Sequence, residues 1–264
     1  MHMNSRDVMS EITKRKKPGV QSVSNFFPNP AMDQMTFEVI TGNSTIVFWG
    51  NDSLVTRAYF YSCDKKELTQ LLQKVPAGTI LDYICKAGQL PREEIENSGF
   101  HPIASYCKRQ LPLDELDKEP ESKRDRLLYD MYNPDCGNYA SIEDLMPLQD
   151  LFAKIFDPRV DHLYPKEELQ YMIKKNEVLV YKVNDRIESF YVFKREGKRL
   201  YSAFSYNNAT ADILYNLERR ERDNARKLGM KIMYAWFNEE NHKALRRTIL
   251  ADTNIRDYIF TKQE

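Results

Sequence analysis

The stretch Arg186–Arg247 reads RIESFYVFKREGKRLYSAFSYNNATADILYNLERRERDNARKLGMKIMYAWFNEENHKALRR, and its pattern decides the fold class. Three aromatic-rich runs, Ile187–Phe193, Arg199–Tyr206 and Met230–Phe237, have the composition of strands. Between the second and third lies Thr210–Leu228, free of Gly and Pro, with Ile213, Leu214, Leu217, Ala225 and Leu228 near helical spacing. Thr210 or Asp212 supplies a capping residue, and Gly229 sits where a helix C-terminus needs a left-handed residue. About nineteen helical residues span roughly 28 Å, enough to cross a sheet face. A helix that begins at a strand end presents free amides and a positive dipole end there, which suits an anion.

Outward from this stretch, VLVYKV, an Asn184–Asp185 turn and IESFYVF predict a strand pair. Upstream, Ser141 and Asp144 form a capping pattern for a helix through Phe156 that Pro147 interrupts, and Pro165 opens a second helix. Downstream, Asn241–Leu250 reads as a short helix and Tyr258–Thr261 as a last strand. The first half has the same order of element types. TFEVITG and STIVFWG form a hairpin, followed by a strand at Leu54–Cys63 and a helix at Lys65–Lys74. A strand at Thr79–Cys85, a helix at Pro91–Ser98 and a strand at Phe100–Arg109 complete it. Residues 1–35 read as a flexible arm that docks through Phe26 and Phe27, 36–111 as an N-terminal unit, 112–138 as a charged linker and 139–264 as a C-terminal unit. The fold class is α/β (α+β), two units each with a mixed, mainly antiparallel sheet flanked by helices.

A chain of 264 residues accommodates two such units. Thirty-nine basic residues balance thirty-nine acidic ones, so global charge points to neither a nucleic-acid nor a membrane surface. Four scattered cysteines without a C-x-x-C, and an N-terminus without an apolar core, lead to the expectation of reduced thiols and a cytoplasmic protein. No run of eighteen apolar residues suggests a membrane span. The four histidines form no metal-ligand spacing, and His162, beside Asp161, reads as part of a surface loop. Glu218–Arg226, ERRERDNAR, reads as a solvated helix face with ion pairs, and Trp236 and Phe237 as core aromatics or, at a strand end, the lining of an acyl or substrate slot.

The second half resembles the GNAT superfamily of acyl-CoA-dependent N-acyltransferases over 139–264. The order helix, helix, strand pair, strand, long helix, strand and short helix carries the resemblance, with KIMYAWFNEENHKA as its local match. There Asn241 and Ala244 sit like the family's N-x-x-A. The first half is similar to the C-terminal part of the same fold: Leu81–Cys85 as a fifth strand, Glu93–Ser98 as the helix and Gly99–Phe100 as the family's G-F. The whole chain looks like a tandem arrangement.

The resemblance implies acetyl-CoA or another acyl-CoA as donor. Tyr206, Asn207, Asn208, Ala209, Thr210 and Ala211 would meet its phosphates, and Asn241 its pantetheine or a water. It implies a small-molecule or peptide amine as acceptor, Glu188 as general base and Tyr234 as a catalytic hydroxyl, with no metal. The family's loop pattern R/Q-x-x-G-x-G/A is absent: the loop has neither Gly nor Arg, and Asp212 adds a negative charge. The tyrosine the family often uses as a proton donor is replaced by Thr248, and by Ile95 in the first half. Two functions therefore stand side by side: an acyltransferase moving an acyl group from acyl-CoA or a carrier thioester to an amine, and a non-catalytic GNAT-like binding or scaffold protein.

Overall fold

The turns fall where the sequence places them. Asn184 and Asp185 both take left-handed φ, 49° and 61°, as a two-residue hairpin requires. Gly229 takes φ 77° just past the long helix. The structure, a computed structural model, describes residues 1–28, 32, 35–51, 54–116 and 123–263.

The first half runs β1 (His2–Met3), α1 (Ser5–Arg15), β2 (Val23–Ser24), β3 (Phe37–Thr41), β4 (Thr45–Asn51), β5 (Thr56–Ser62), α2 (Lys65–Leu72), β6 (Ile80–Lys86), α3 (Arg92–Glu96) and β7 (Phe100–Pro112). A 3-10 turn (Leu113–Glu115), α4 (Lys123–Asp130) and β8 (Asn138–Tyr139) connect the halves. Then come α5 (Leu145–Ile155), α6 (Lys166–Lys174), β9 (Val178–Val183), β10 (Arg186–Glu196), β11 (Arg199–Asn207), α7 (Ala211–Lys227), β12 (Ile232–Asn238), α8 (His242–Arg247) and β13 (Ala251–Lys262).

Among the described residues all these strands belong to one sheet. Its order is β1-β3-β4-β5-β6-β13-β7-β12-β11-β10-β9-β8, with β2 paired to β5 off that path. Only β5–β6 and β11–β12 are parallel. The two sets of strands are fused by an exchange of their last members. β7, from the first half, lies between β12 and β13, and β13, from the second, lies between β6 and β7. Each half therefore completes the other's ladder.

Alternation along the strands assigns the two faces. Val47, Phe60, Leu81 and Phe260 pack under α2 and α3, and Leu179, Tyr191, Leu200 and Met233 pack under α7. The opposite face carries α1 against Ile46, Phe48 and Tyr59, and α5 and α6 against Val178, Val180, Phe190 and Val192. Leu217 is fully buried beneath α7. Truncating such a leucine to alanine removes roughly 2–5 kcal/mol.

Several expectations need correction. The arm at 1–35 contains helix α1, whose Val8 and Ile12 are buried; an apolar pair four apart sufficed to dock it despite its basic surroundings. Phe26 is buried, whereas Phe27 is 62% exposed; residues 29–31 and 33–34 of the arm lie outside the described residues. Pro147 does not interrupt α5 but sits in its first turn, where a missing amide costs no intrahelical bond. The final strand is 12 residues long. Its polar beginning, ADTNIRD, lacks strand composition, and ladder pairing on both sides decides its conformation. Residues 117–122 of the expected linker lie outside the described residues; around them, Leu113 and Leu116 are buried.

That connecting segment also overturns the solvated face of α7. It passes over the helix, where Tyr132 donates to Asp223 at 2.7 Å. Glu221 lies on the sheet-facing stripe with Leu217 and Ala225, fully buried and paired with Arg195 of β10 at 2.8 Å, and Arg222 is buried as well. Arg219 lies between the rings of Tyr129 and Tyr132, at 4.1 and 4.2 Å.

Candidate active site

The parallel pairing of β11 and β12 runs from Arg199–Ile232 to Ser202–Ala235 and stops there. Both strands continue, β11 to Asn207 and β12 to Asn238, so they splay apart from that point. At the same level the register of β10 against β11 jumps: Val192 faces Phe204 while Phe193 faces Ser202. Ala203 is thus an extra residue on β11, a bulge that increases local twist and turns the strand out of the ladder. The splay opens towards the start of α7.

That helix start is not closed by its own side chains. Thr210 occupies the N-cap position in extended conformation and makes no side-chain cap. The loop before it is shaped by its asparagines. Asn207 donates through Nδ2 to the carbonyl of Thr210 at 3.0 Å and accepts from the amide of Ala209 at 3.3 Å. Asn208 donates its amide to the Glu188 carbonyl at 2.8 Å and its Nδ2 to Glu188 Oε2 at 2.7 Å. In the first half the corresponding helix is shut. Asp64 caps α2 by accepting from the Glu67 amide at 3.0 Å, and the Glu67 carboxylate takes the amides of Asn43 and Ser44 at 2.7 and 2.8 Å. The Asp64 carboxylate already sits at this helix start, which disfavours a second anion there.

The structure separates the two residues that the sequence suggests as catalytic. Tyr234 pairs with Tyr201 beside the root of the splay, and their rings stack at 4.8 Å. Glu188 is held by Asn208 at the far end of β11. Seven residues of strand separate Tyr201 from Asn208, about 20 Å. No single reacting atom meets both. Tyr234 Oη donates to Glu196 Oε2 at 2.6 Å, and burial together with that bond pushes the phenol pKa well up. Burial and the negative charge of Glu196 push Tyr201 up to about 12. Asn241 is exposed and caps α8, accepting from the amide of Ala244 at 3.1 Å.

On the same face as Tyr234, the segment between α5 and α6 crosses the junction of the two halves. Tyr106 donates to Asp161 at 2.7 Å, Arg57 reaches the Pro158 carbonyl at 3.4 Å, and His162 Nε2 lies 3.6 Å from Asp257 and 3.9 Å from Asp82. His162 lies in a surface loop, as expected, and is 53% exposed, yet it faces two carboxylates. Burial pulls the imidazole down, but Asp82 and Asp257 outweigh it and its pKa ends above the ordinary value. Arg57, paired with Asp82 at 2.5 Å, opposes that rise. Asp82 is itself pushed up by burial, against the pull of His162 and Arg57. A histidine with a raised folded-state pKa contributes its stability fully below the unfolded value, about 6.5, and loses it as pH rises through the folded value. The difference in thermal midpoint between wild type and His162→Gln is therefore expected to be largest in mild acid, where the imidazole is protonated and Asp82 still ionised, and to close on the alkaline side. A constant difference would assign His162 a purely steric role.

No family model matches the chain, and no curated protein matches it by sequence. Solved structures do match. A GNAT-family acetyltransferase from Colwellia psychrerythraea superposes with TM-score 0.54 at 11% identity, covering 100% of this chain and 99% of that one. A GCN5-related N-acetyltransferase from Sphaerobacter thermophilus gives 0.52 at 12%, over 97% and 84%. A putative GNAT acetyltransferase from Novosphingobium aromaticivorans gives 0.51 at 12%, over 85% and 91%. The chain has the GNAT acetyltransferase fold. Nothing in this GNAT fold that draws on both halves was visible along the sequence. Glu196, Lys108 and the Asp82–His162–Asp257 group escaped notice because their contacts join residues 38 to 128 positions apart. The bulge at Ala203 has no sequence mark either. Among the described residues, no helix of this GNAT fold is long and apolar enough to cross a membrane.

Proposed function

We propose that this protein is an acyl-CoA-dependent N-acyltransferase whose single working site is the splay between β11 and β12. The observation that carries this is the coincidence of three features: pairing that ends at Ser202–Ala235, the bulge at Ala203, and a start of α7 that no side chain caps. Residues 206–211 would meet a donor's phosphates with the amides that begin α7, from Thr210 on, and the positive end of the helix, the amides of Asn208 and Ala209 being taken by Glu188 and Asn207. Asp212 and the Glu188 carboxylate weaken that field, and Asn208, by occupying Glu188, offsets part of it. The donor supplies an activated acyl carbonyl, which the backbone of β11 at the bulge is positioned to polarise.

The attacking amine must lose a proton. Tyr234 Oη and Glu196 form a short path for it: the phenol oxygen takes the amine proton as its own proton passes to the carboxylate. This assigns Tyr234 the proton transfer and Glu196 the base. Glu188, which the resemblance suggested for that role, then acts on the loop through Asn208, and Asn241 holds the start of α8 beside the donor. The acceptor is a small-molecule or peptide amine, and the setting cytoplasmic. A non-catalytic GNAT-like role is favoured only by the loop's asparagines, whose side chains are spent inside the loop. Incubation with acetyl-CoA and a panel of amines decides between them. Amine-dependent release of CoA thiol is expected; donor binding with no thiol released by any amine would support the binding role.

A further inference from the structure

Lys108 differs from the other cations near the splay. It stands on β7 directly opposite Trp236 of β12, half-buried, on the face away from α7. Its Nζ lies 4.3 Å from the ring centre of Tyr234 and 5.8 Å from that of Trp236. Among the described residues it makes no hydrogen bond or ion pair, and Glu196, the carboxylate whose charge acts on it, already accepts from Tyr234. Burial lowers its pKa and Arg199 pushes the same way, with Glu196 opposing them. The half-buried indole of Trp236 also has no hydrogen-bond acceptor among the described residues.

We infer that Lys108 is the anchor for a carboxylate on the acceptor, whose body packs on Trp236 while its amine reaches the root of the splay beside Tyr234. This rests on the acyl-transfer reading of the splay and narrows it to acceptors of the amino-acid type, an amine and a carboxylate within one small molecule. Two aromatic faces stabilise the charged ammonium, so Lys108 serves as a cation and not as a base. A partly desolvated cation without a counter-charge gains most from an anion that brings one. A lone ammonium, with neither a guanidinium fork nor a nest of amides around it, suits a single carboxylate better than a phosphate.

The test uses phenylacetate as the probe and phenylacetamide as its uncharged counterpart of the same shape. The chain has only two tryptophans, so the indole N–H signal of Trp236 is assigned by its absence from Trp236→Phe. Phenylacetate is expected to shift that signal saturably and leave the Trp49 signal in place, while phenylacetamide leaves both unmoved. Lys108→Met should weaken the phenylacetate titration by about tenfold or more, and Lys108→Arg should retain it. A Trp236 signal that phenylacetate does not move up to its solubility, equal responses to both probes, or unchanged binding in Lys108→Met would overturn the inference. Acetyl-CoA binding is read separately, at the start of α7. Phenylacetate binding through Lys108 without donor binding would retain the anion anchor and sink the acyl-transfer reading; donor binding without a Lys108-dependent response would do the reverse.

Discussion

Glu196→Gln is expected to lower turnover about 10²-fold with donor affinity unchanged, because it keeps the shape of the Tyr234 partner and removes its basicity. Tyr234 Oη has a single acceptor, Glu196 Oε2 at 2.6 Å. With glutamine there the phenol proton has no base to move to, so the amine must be deprotonated by water. Tyr234→Phe should fall to the same level, and the double variant no further, since both changes break one path. Glu188→Gln is the contrasting case. Its carboxylate touches Asn208 and not the root of the splay, so kcat should hold while the apparent donor affinity rises. If Glu188→Gln abolishes turnover and Glu196→Gln does not, the base is Glu188 and the path through Tyr234 is wrong.

Asn208→Asp is expected to weaken donor binding about tenfold or more. The substitution replaces the Nδ2 donor with an anionic oxygen 2.7 Å from Glu188 Oε2. Two carboxylates then repel one another beside the amides that would hold phosphate. The loop must open or one acid must take a proton, and either outcome spoils the anion site. The pairing can be rebuilt with its polarity reversed: Glu188→Gln in the same molecule places an amide donor opposite the new aspartate. The double variant should recover most of the lost affinity. Equal affinity in wild type and Asn208→Asp would show that donor phosphates do not lie at this loop.

What the sequence showed was local. The alternation of β9 and β10, the Asn184–Asp185 turn, the long amphipathic α7 and its Gly229 terminator are all decided within a few residues, and they were legible. The Ser141–Asp144 capping box was legible for the same reason. The exchange of β7 and β13 was not, because alternation reports which face a strand buries and not which strands flank it. The buried charges of α7 escaped for a related reason. Glu221 reads as solvated until Arg195 of β10 is seen to meet it on the sheet-facing stripe of the helix. The site splits along the same line. The loop at 206–211 could be placed from the order of elements, whereas the Tyr234–Glu196 path and the separation of Glu188 from Tyr234 depend on which strands pair and where their pairing ends.

Amide hydrogen exchange with and without acetyl-CoA tests the central claim, that one donor site exists and lies at the start of α7. Protection is expected at Asn208–Ile213 and along β11 beyond Ser202, with Asp64–Leu68 at the capped start of α2 unchanged. Protection at Asp64–Leu68 with none at Asn208–Ile213, or no protection anywhere at millimolar acetyl-CoA, would contradict it.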